Sequence, residues 1–309
     1  MCKFYALFEF FLFWALSLRS FYAKILKVVI LNIQEIQKYV VDKLKENNID
    51  DCNLKSKLLI STLINKPKEY LIIHDTEELE EEKILEIKNN VDKIIQGYPI
   101  QYITENQEFM GLNFLVNENV LIPQPDTEVL VEEVLNIVKT IEEPKILDLC
   151  TGSGAIAVAL KKLLVGLSEI TASDISSKAL EVAKINAKNN NAEIEFIEAD
   201  LFNGIDKEFN IIVSNPPYIK TEVISELSLE VQNEPHIALD GGQDGLYFYR
   251  NIINNAYKYL ACEGYLALEI GYDQKQEVEE LIKNTNKYKE IHSKKDLARN
   301  DRIVICKRR

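Results

Sequence analysis

The chain has 309 residues, enough for one large domain and a smaller one. Its 49 Asp and Glu outnumber its 36 Lys and Arg, so the formal charge is −13, which disfavours stable nucleic-acid binding over a broad electrostatic surface. The five cysteines are scattered and lack metal-site spacing, which favours a reducing, cytoplasmic location over a disulfide framework or a metal centre.

Residues 1–30 differ from the rest of the chain. An apolar run from Phe8 to Leu16 is interrupted by Glu9 and is short for a membrane span. Three interpretations remain open: a signal anchor, an amphipathic surface helix, or an extension upstream of a natural start at Leu31. We favour the last, because an ordinary amphipathic helix begins directly after Leu31. We therefore expect a non-native apolar extension and no membrane association.

Residues 31–97 carry a helical pattern and form the first predicted domain. Ile33, Ile36, Val40, Val41 and Leu44 recur on one face of a helix. The sequence Asp75-x-x-Glu78 resembles a capping box for a later helix that ends before Gly97. We expect a small helical bundle here.

Residues 98–122 are predicted to join the two domains through a β-hairpin. Its strands would lie within Met110–Ile122, with Asn117, Glu118 and Asn119 as turn residues.

Residues 123–309 alternate between strand and helix patterns. Strands are expected near residues 145–149, 169–174, 193–198, 209–214 and 264–270, with a closing pair near 287–292 and 302–307. Helices are expected over 155–165, 177–190, 245–260 and 273–285. Such alternation predicts an α/β domain, a mostly parallel sheet wound on both faces with an antiparallel last strand.

A glycine turn follows the first of these strands. Asp148 lies in the strand, and the turn runs through Cys150, Thr151, Gly152, Ser153 and Gly154 before an Ala-rich helix. Glycine lets the backbone approach a ligand closely, and the helix start offers free N–H groups. Asp174 ends the second strand, where a carboxylate can bind a ribose diol. Asp200 and Leu201 follow the third strand and suit an adenine ring. Alone, the turn fits a nicotinamide oxidoreductase or a non-catalytic nucleoside-binding module equally well.

The most informative motif is Asn215-Pro216-Pro217-Tyr218, directly after the fourth strand. The Asn215 side-chain oxygen and the Pro216 carbonyl can each accept one N–H of a planar NH2 group, and Tyr218 can pack against its flat face. Neither a strong base nor a nucleophile is present. The motif therefore indicates an amide or amino nitrogen that is positioned to attack an activated group.

The order of the glycine turn, Asp174, Asp200 and the Asn-Pro-Pro-Tyr motif resembles the class I S-adenosylmethionine-dependent methyltransferases. More narrowly, the chain from Leu31 onward resembles the release-factor glutamine N5-methyltransferases, the HemK-type family. Further marks of that resemblance lie at residues 99–103, 108–112, 120–128, 233–246 and 295–302.

The resemblance implies a seven-stranded methyltransferase sheet, S-adenosylmethionine as cofactor and class I peptide chain release factors as protein substrate. The helical domain would help to recognise that substrate. Asn215, Pro216 and Tyr218 would be the catalytic residues, and Asn215 would also contact the cofactor.

This chemistry requires neither a metal nor a general-base histidine, and His74, His236 and His292 stand in unrelated contexts. Of the three, only His236, next to Pro235 in a loop that carries the resemblance, is a candidate to support the site. Two alternative acceptors remain open: a glutamine of a ribosomal protein, and the amino groups of adenine or guanine in DNA or RNA. The sequence leaves the oligomeric state undetermined.

Three positions depart from the family pattern. Gln124 replaces a usual Arg between two prolines, Cys150 replaces a frequent Gly, and Arg299 replaces a usual Gly. Gln124 puts in doubt any charge role for its loop. Arg299 suggests a slightly different hairpin before the final strand.

Overall fold

The computed structural model describes residues 31–309, so the expectation for residues 1–30 lies outside the described part of the chain. The described residues form two compact units that divide between Gln96 and Gly97. Within residues 31–309, no helix is long and apolar enough to cross a membrane.

The first unit is built from helices. They are α1 (Ile33–Glu46), α2 (Cys52–Leu63), α3 (Tyr70–Ile73) and α4 (Glu81–Ile95). Asn32 and Glu35 cap the start of α1 reciprocally, since each side chain accepts the backbone N–H of the other residue, at 2.8 and 3.0 Å. Four members of the expected apolar stripe of α1 are fully buried, and Val41 is only partly buried because it lies at the edge of that face.

The capping box expected at Asp75 and Glu78 is wrong. Helix α4 begins only at Glu81, and the preceding segment instead pairs with the chain that enters α1. The N–H of Ile33 donates to the Glu77 carbonyl and that of Leu79 to the Leu31 carbonyl, both at 3.0 Å. This backbone pairing between distant segments overrides the local helix-start signal.

The second unit contains the sheet. Its helices are α5 (Ile100–Thr104), α6 (Pro125–Val138), α7 (Ala155–Leu163), α8 (Ser177–Asn189), α9 (Leu229–Gln232), α10 (His236–Leu239), α11 (Tyr247–Ala256) and α12 (Lys275–Thr285), with a 3-10 turn at Thr221–Glu226. Its strands are β1 (Gln107–Phe109), β2 (Leu112–Phe114), β3 (Lys145–Leu149), β4 (Glu169–Asp174), β5 (Glu195–Glu198), β6 (Phe209–Ser214), β7 (Leu260–Glu269), β8 (Tyr288–Lys295) and β9 (Asp301–Arg308).

Seven of these strands form one sheet in the order β5-β4-β3-β6-β7-β9-β8. The first five strands in this order are parallel to one another, and β9 runs antiparallel to both β7 and β8. The predicted mostly parallel, doubly wound fold is confirmed. Strand β7 begins at Leu260, earlier than expected, and continues the sheet before the glycine at 264.

Both faces of the sheet are covered, which explains the continuous apolar runs of its strands. Ile146, Ile211 and Val213 point to the face covered by α6, α7 and α8. Leu147 and Ile212 point to the opposite face, covered by α11 and α12.

The hairpin lies earlier than predicted. Strands β1 and β2 pair from Gln107 with Phe114 to Phe109 with Leu112, so Met110 and Gly111 form the turn. Both have positive φ, 53° and 72°, as a two-residue hairpin turn requires. The predicted turn at Asn117 to Asn119 is therefore wrong as a hairpin, although the Val120 N–H does donate to the Asn117 carbonyl at 3.1 Å.

The segment after the hairpin is tied to α8 by one buried side chain. Asn186 is fully buried, and its Nδ2 donates to the carbonyls of Leu115 and Ser153, both at 2.9 Å. Its Oδ1 accepts the Leu115 N–H at 2.6 Å. One amide therefore links helix α8, the hairpin exit and the glycine turn.

We expect Asn186→Ala to lower the free energy of unfolding by about 2–4 kcal/mol, because one buried and two partly buried backbone groups lose their partner. Chemical denaturation checks this value. Asn189→Ala, an exposed asparagine on the same helix, is the control and should change stability by less than about 0.5 kcal/mol. Equal stability of both variants would contradict the role given to Asn186.

Arg299 lies in the turn between β8 and β9 with φ of +68°. This is the left-handed conformation that glycine adopts without strain. Its N–H donates to the Asp296 carbonyl at 3.0 Å, which closes the turn. The turn thus has the backbone conformation that favours the glycine usual at this position. An arginine in this conformation lowers the stability of the folded state.

We expect Arg299→Gly to raise the free energy of unfolding by about 1 kcal/mol, since the left-handed penalty disappears. Arg299→Ala keeps a Cβ at the same φ and should give no gain. Thermal or chemical denaturation of the pair measures the difference, and a gain in the alanine variant would assign the effect to the lost side chain instead.

Candidate active site

The candidate site lies where four neighbouring parallel strands end. Leu149 of β3 pairs with Ser173 of β4 and with Ser214 of β6. Asp174 of β4 pairs with Glu198 of β5. Because these residues are the last or next to last in their strands, the segments that follow them meet at one edge of the sheet.

A cavity of about 300 Å³ opens at this edge, within the range of small-molecule sites. It brings together most of the residues predicted from the sequence: Cys150, Thr151, Gly152, Ser153, Asp174, Asp200, Leu201, Asn215 and Pro217. Four other predicted residues are not among its lining: Asp148, Gly154, Pro216 and Tyr218. A larger surface groove of about 1130 Å³, between the end of α6 and the 163–168 loop, contains none of them.

Asp148 acts from beneath the cavity. It is fully buried, and its Oδ2 accepts the Thr151 hydroxyl at 2.5 Å and the Ala157 N–H at 3.2 Å. Burial raises the pKa of this carboxyl to about 7, against the opposing effect of these two hydrogen bonds. Asp148 therefore fixes the glycine turn onto the start of α7.

Asp174 joins the glycine turn to the start of α8. Its Oδ2 accepts the Gly152 N–H at 2.8 Å, and its Oδ1 accepts the Ser176 N–H at 2.9 Å. Burial raises the pKa of this carboxyl, while these backbone donors lower it. The side chain of Ser176, and not that of Asp174, caps α8, since its Oγ accepts the Ala179 N–H at 3.2 Å.

The glycine turn needs its glycines for backbone reasons. Gly152 and Gly154 have φ of +54° and +79°, and a Cβ on Gly154 would stand 3.0 Å from the Ala183 Cβ. Cys150 also has positive φ, +62°, which explains why a glycine is frequent there. Burial raises the pKa of the Cys150 thiol, so it stays protonated and acts as a small apolar group.

The Asn-Pro-Pro-Tyr segment is held from several sides. The Ser214 hydroxyl donates to the Leu149 carbonyl at 2.6 Å, at the start of the segment. The Asn215 Nδ2 donates to Thr127 Oγ1 at 3.3 Å. At the other end, Gln274 Nε2 donates to the Tyr218 carbonyl at 2.9 Å. The two prolines are buried, so the backbone here is both stiff and anchored.

Two further loops that line the cavity are joined by Glu234. This residue is buried, and its Oε2 accepts the Ile122 N–H at 2.9 Å. Burial raises the pKa of the carboxyl to about 7. The contact connects the loop that contains Gln124 to the loop around Pro235.

Gln124 points back into its own loop. Its Nε2 donates to the Ile122 carbonyl at 3.0 Å, and no charge takes part in the contact.

Sequence reasoning missed three buried residues that support the motif: Thr127, Glu269 and Gln274. They lie on α6, at the end of β7 and beside α12. No local pattern marks them as functional. The one available signal was that Thr127 falls within residues 120–128, already a mark of the family resemblance.

The three histidines are exposed and outside the lining of the cavity. His236 lies beside it, with its Nδ1 3.9 Å from the Asp240 carboxylate. Among residues 31–309, no three His, Cys, Asp or Glu side chains lie close enough together to hold a metal ion.

The residues present fit S-adenosylmethionine. The carboxylate oxygens of Asp174 suit a ribose diol, and those of the exposed Asp200 suit an adenine amino group. Apolar side chains for the adenine faces lie beside them: Ile175, Leu201 and Ile156. The glycine turn at the start of α7 leaves the backbone open to a ligand, since nothing lies within 4 Å of a Cβ on Gly152.

Comparisons with known proteins agree with this site. The profile of the Methyltransferase small domain matches residues 124–232, and that of the PrmC N-terminal domain matches residues 35–104. Among solved structures, a methyltransferase from Pyrococcus furiosus superimposes with a TM-score of 0.50 at 18% identity, over 71% of this chain and 98% of that one. The hMettl16 catalytic domain gives 0.55 at 15% identity, over 68% and 80%. At such low identity, these two structures support the fold alone.

Sequence relatives are much closer. The release factor glutamine methyltransferase of Clostridium acetobutylicum is 41% identical, over 86% of this chain and 94% of that protein. The protein of the same description from Streptococcus pneumoniae is 43% identical, over 73% and 80%. The resemblance inferred from the motifs is confirmed: the chain belongs to the release factor glutamine methyltransferase family.

Proposed function

We propose that this enzyme transfers a methyl group from S-adenosylmethionine to the side-chain amide nitrogen of the glutamine in the Gly-Gly-Gln motif of class I peptide chain release factors. The observation that carries the proposal is the position of Asn215. It lines the same cavity as the glycine turn, Asp174 and Asp200. An amide-binding group and a nucleoside-binding set therefore face one space.

The cofactor would be held by the residues at the strand ends. Asp174 would bind the ribose, Asp200 and Leu201 the adenine, and the turn from Cys150 to Gly154 the remaining part of the molecule. Asp148 would support the turn from below. When bound, S-adenosylmethionine supplies a methyl group that is attached to a sulfonium sulfur. The sulfur is already a good leaving group.

The remaining task for the chain is to position a poor nucleophile. The lone pair of a glutamine amide nitrogen is delocalised into its carbonyl. If Asn215 Oδ1 and the Pro216 carbonyl each accept one N–H, they orient that nitrogen and stabilise the positive charge that develops on it. Tyr218 would pack against the amide plane. The extra proton on nitrogen then passes to water, so no general base is needed.

The proposal extends to partners and location. The helical unit at residues 31–96 would contribute to recognition of the release factor, and a cytoplasmic location would match that substrate. The identity to relatives described as release factor glutamine methyltransferases favours this acceptor over ribosomal-protein glutamines and over nucleic-acid amino groups.

We expect Asn215→Ala to lower the methylation rate at least about 100-fold, because the oriented acceptor for one amide N–H is lost. The measurement uses the purified full chain, S-adenosylmethionine and an unmethylated release factor, with mass spectrometry of the Gly-Gly-Gln peptide. Asn136→Ala, an exposed asparagine on α6 outside the cavity, is the matched control and should keep the wild-type rate.

Two other outcomes are informative. An unmodified Gly-Gly-Gln peptide with wild-type enzyme that binds the cofactor would overturn the proposed substrate. Ribosomal proteins and then nucleic acids would be the next acceptors to assay. An unchanged rate in Asn215→Ala would overturn the assignment of that residue.

We expect Asp174→Asn to raise the Kd for S-adenosylmethionine about 10-fold or more, because charge-assisted hydrogen bonds to the ribose become neutral ones. Isothermal titration calorimetry measures the affinity directly. Asp206→Asn, an exposed acid in the loop before β6, provides the control. Equal affinity in both variants would exclude Asp174 from the ribose site.

A further inference from the structure

Glu269 is the last residue of β7 and lies at the same sheet edge as Asn215. Ser214 of β6 pairs with Leu268, so Asn215 and Glu269 are the next residues along two neighbouring parallel strands. Glu269 is only 2% exposed. Its Oε2 is buried and has no hydrogen-bond partner of ordinary geometry among the described residues. A buried carboxylate in this position needs an explanation.

Thr127, near the start of α6, connects Glu269 to Asn215. Its side chain is buried, and its Oγ1 accepts a hydrogen bond from Asn215 Nδ2 at 3.3 Å. The hydroxyl can donate its own hydrogen onward. Burial raises the pKa of the Glu269 carboxyl, and the polar groups of Thr127 and Asn215 lie close enough to oppose that rise, although Oε2 has no regular hydrogen bond. The three polar side chains therefore form one connected group behind the motif.

This group determines which way the Asn215 amide faces. An ionised carboxylate only accepts hydrogen bonds, so the NH2 group of Asn215 is favoured on the side of Thr127 and Glu269. The opposite orientation would place the amide oxygen near the carboxylate, where both are electronegative. With NH2 held on that side, Oδ1 faces away from Glu269 and is available to a substrate N–H.

Charged and titratable groups from other elements surround Glu269. Burial is the largest effect and raises the pKa of its carboxyl to about 7; Arg302 on β9 opposes that rise, and Asp126 on α6 adds to it. Burial raises the pKa of both Tyr218 and Tyr249, and the nearby charge of Glu269 raises each of them further. Above neutral pH, Glu269 is therefore ionised and acts as an acceptor.

We propose that Thr127 and Glu269 are positioning residues for methyl transfer, which hold the Asn215 amide with its oxygen toward the acceptor nitrogen. This inference rests on the proposed function, because it assumes that Asn215 binds the amide that is methylated. In this role both residues act through Asn215: Glu269 is not among the residues that line the cavity, and Thr127, which does line it, contacts Asn215 through its hydroxyl.

The first test uses the hydroxyl of Thr127. We expect Thr127→Val, which keeps the side-chain shape, to lower kcat about 10-fold, the effect of one lost hydrogen bond in an oriented network. Thr127→Ser keeps the hydroxyl and should restore kcat to within about 2-fold of wild type. The Kd for S-adenosylmethionine, measured by calorimetry, should stay unchanged in both variants.

The second test uses the charge of Glu269. Below about pH 7 the Glu269 carboxyl is protonated, so it can donate a hydrogen bond as well as accept one. Wild-type kcat should therefore fall as the pH is lowered from 8.5 to 6. Glu269→Gln offers both a donor and an acceptor, so we expect a kcat about 10-fold lower at pH 8.5 and a loss of that pH dependence. Glu280→Gln, which removes an exposed acid on α12 outside the lining of the cavity, is the control and should keep the wild-type pH dependence.

The outcomes separate this inference from the proposed function. If wild type methylates the release factor while Thr127→Val and Glu269→Gln keep wild-type kcat, the positioning role is overturned and the proposed function stands. The positioning role is also overturned if Thr127→Ser loses activity, or if the kcat of Glu269→Gln still falls at low pH as it does in wild type. If wild type leaves Gly-Gly-Gln unmodified, the proposed function fails first, and the inference falls with it.

Discussion

The parallel alignment of β3, β4, β5 and β6 is the constraint on which the site depends. Their carboxyl ends meet at one edge, so segments far apart in sequence contribute to one cavity. Each segment brings a different chemistry: an open backbone turn, a carboxylate, an apolar surface and an amide. A one-residue slip of β6 against β3 would displace Asn215 and would also turn the apolar residues of β6 to the wrong faces. The same strand register therefore determines both the packing of the core and the position of the site.

Buried carboxylates serve here as anchors for loops. Asp148, Asp174 and Glu234 each accept at least one backbone N–H, and together they fix the glycine turn, the start of α8 and the loop before α6. Burial raises the pKa of all three, which is the cost of removing a carboxyl from water. These carboxylates hold the loops of the site in place and take no part in proton transfer. Such an arrangement suits a reaction whose leaving group is already activated.

Sequence patterns predicted the fold well because its strands are buried on both faces and its helices are amphipathic. The strands at 145–149, 169–174 and 209–214 lie where the apolar runs indicated. The hairpin was misplaced because Asn117 to Asn119 are stronger turn formers than Met110-Gly111, while the pairing of β1 with β2 decides the register. The capping box at Asp75 failed for a similar reason, since pairing with a distant segment outweighed a local signal.

The strand-end residues of the site were visible in the sequence because glycine turns, terminal carboxylates and the Asn-Pro-Pro-Tyr motif have local signatures. The supporting residues have none. Asn186 contacts Leu115 and Ser153, and Thr127 contacts Asn215, across long sequence separations. An asparagine or threonine in a helix has many ordinary explanations, and only the tertiary structure shows which one applies.

A glutamine amide is a weak nucleophile, so the precision of its binding site matters more than the strength of any single group. A loop alone would not hold Asn215 to a fraction of an ångström. Here the loop is confined on several sides: the prolines are buried, Gln274 holds the Tyr218 carbonyl, and a Cβ on Gly241 would stand only 2.7 Å from the Tyr218 Cα. The backbone is thereby fixed, but the side-chain amide of Asn215 could still rotate by half a turn. A hydroxyl and an acid that face its NH2 group remove that last freedom, which gives the buried carboxylate of Glu269 a reason to be there.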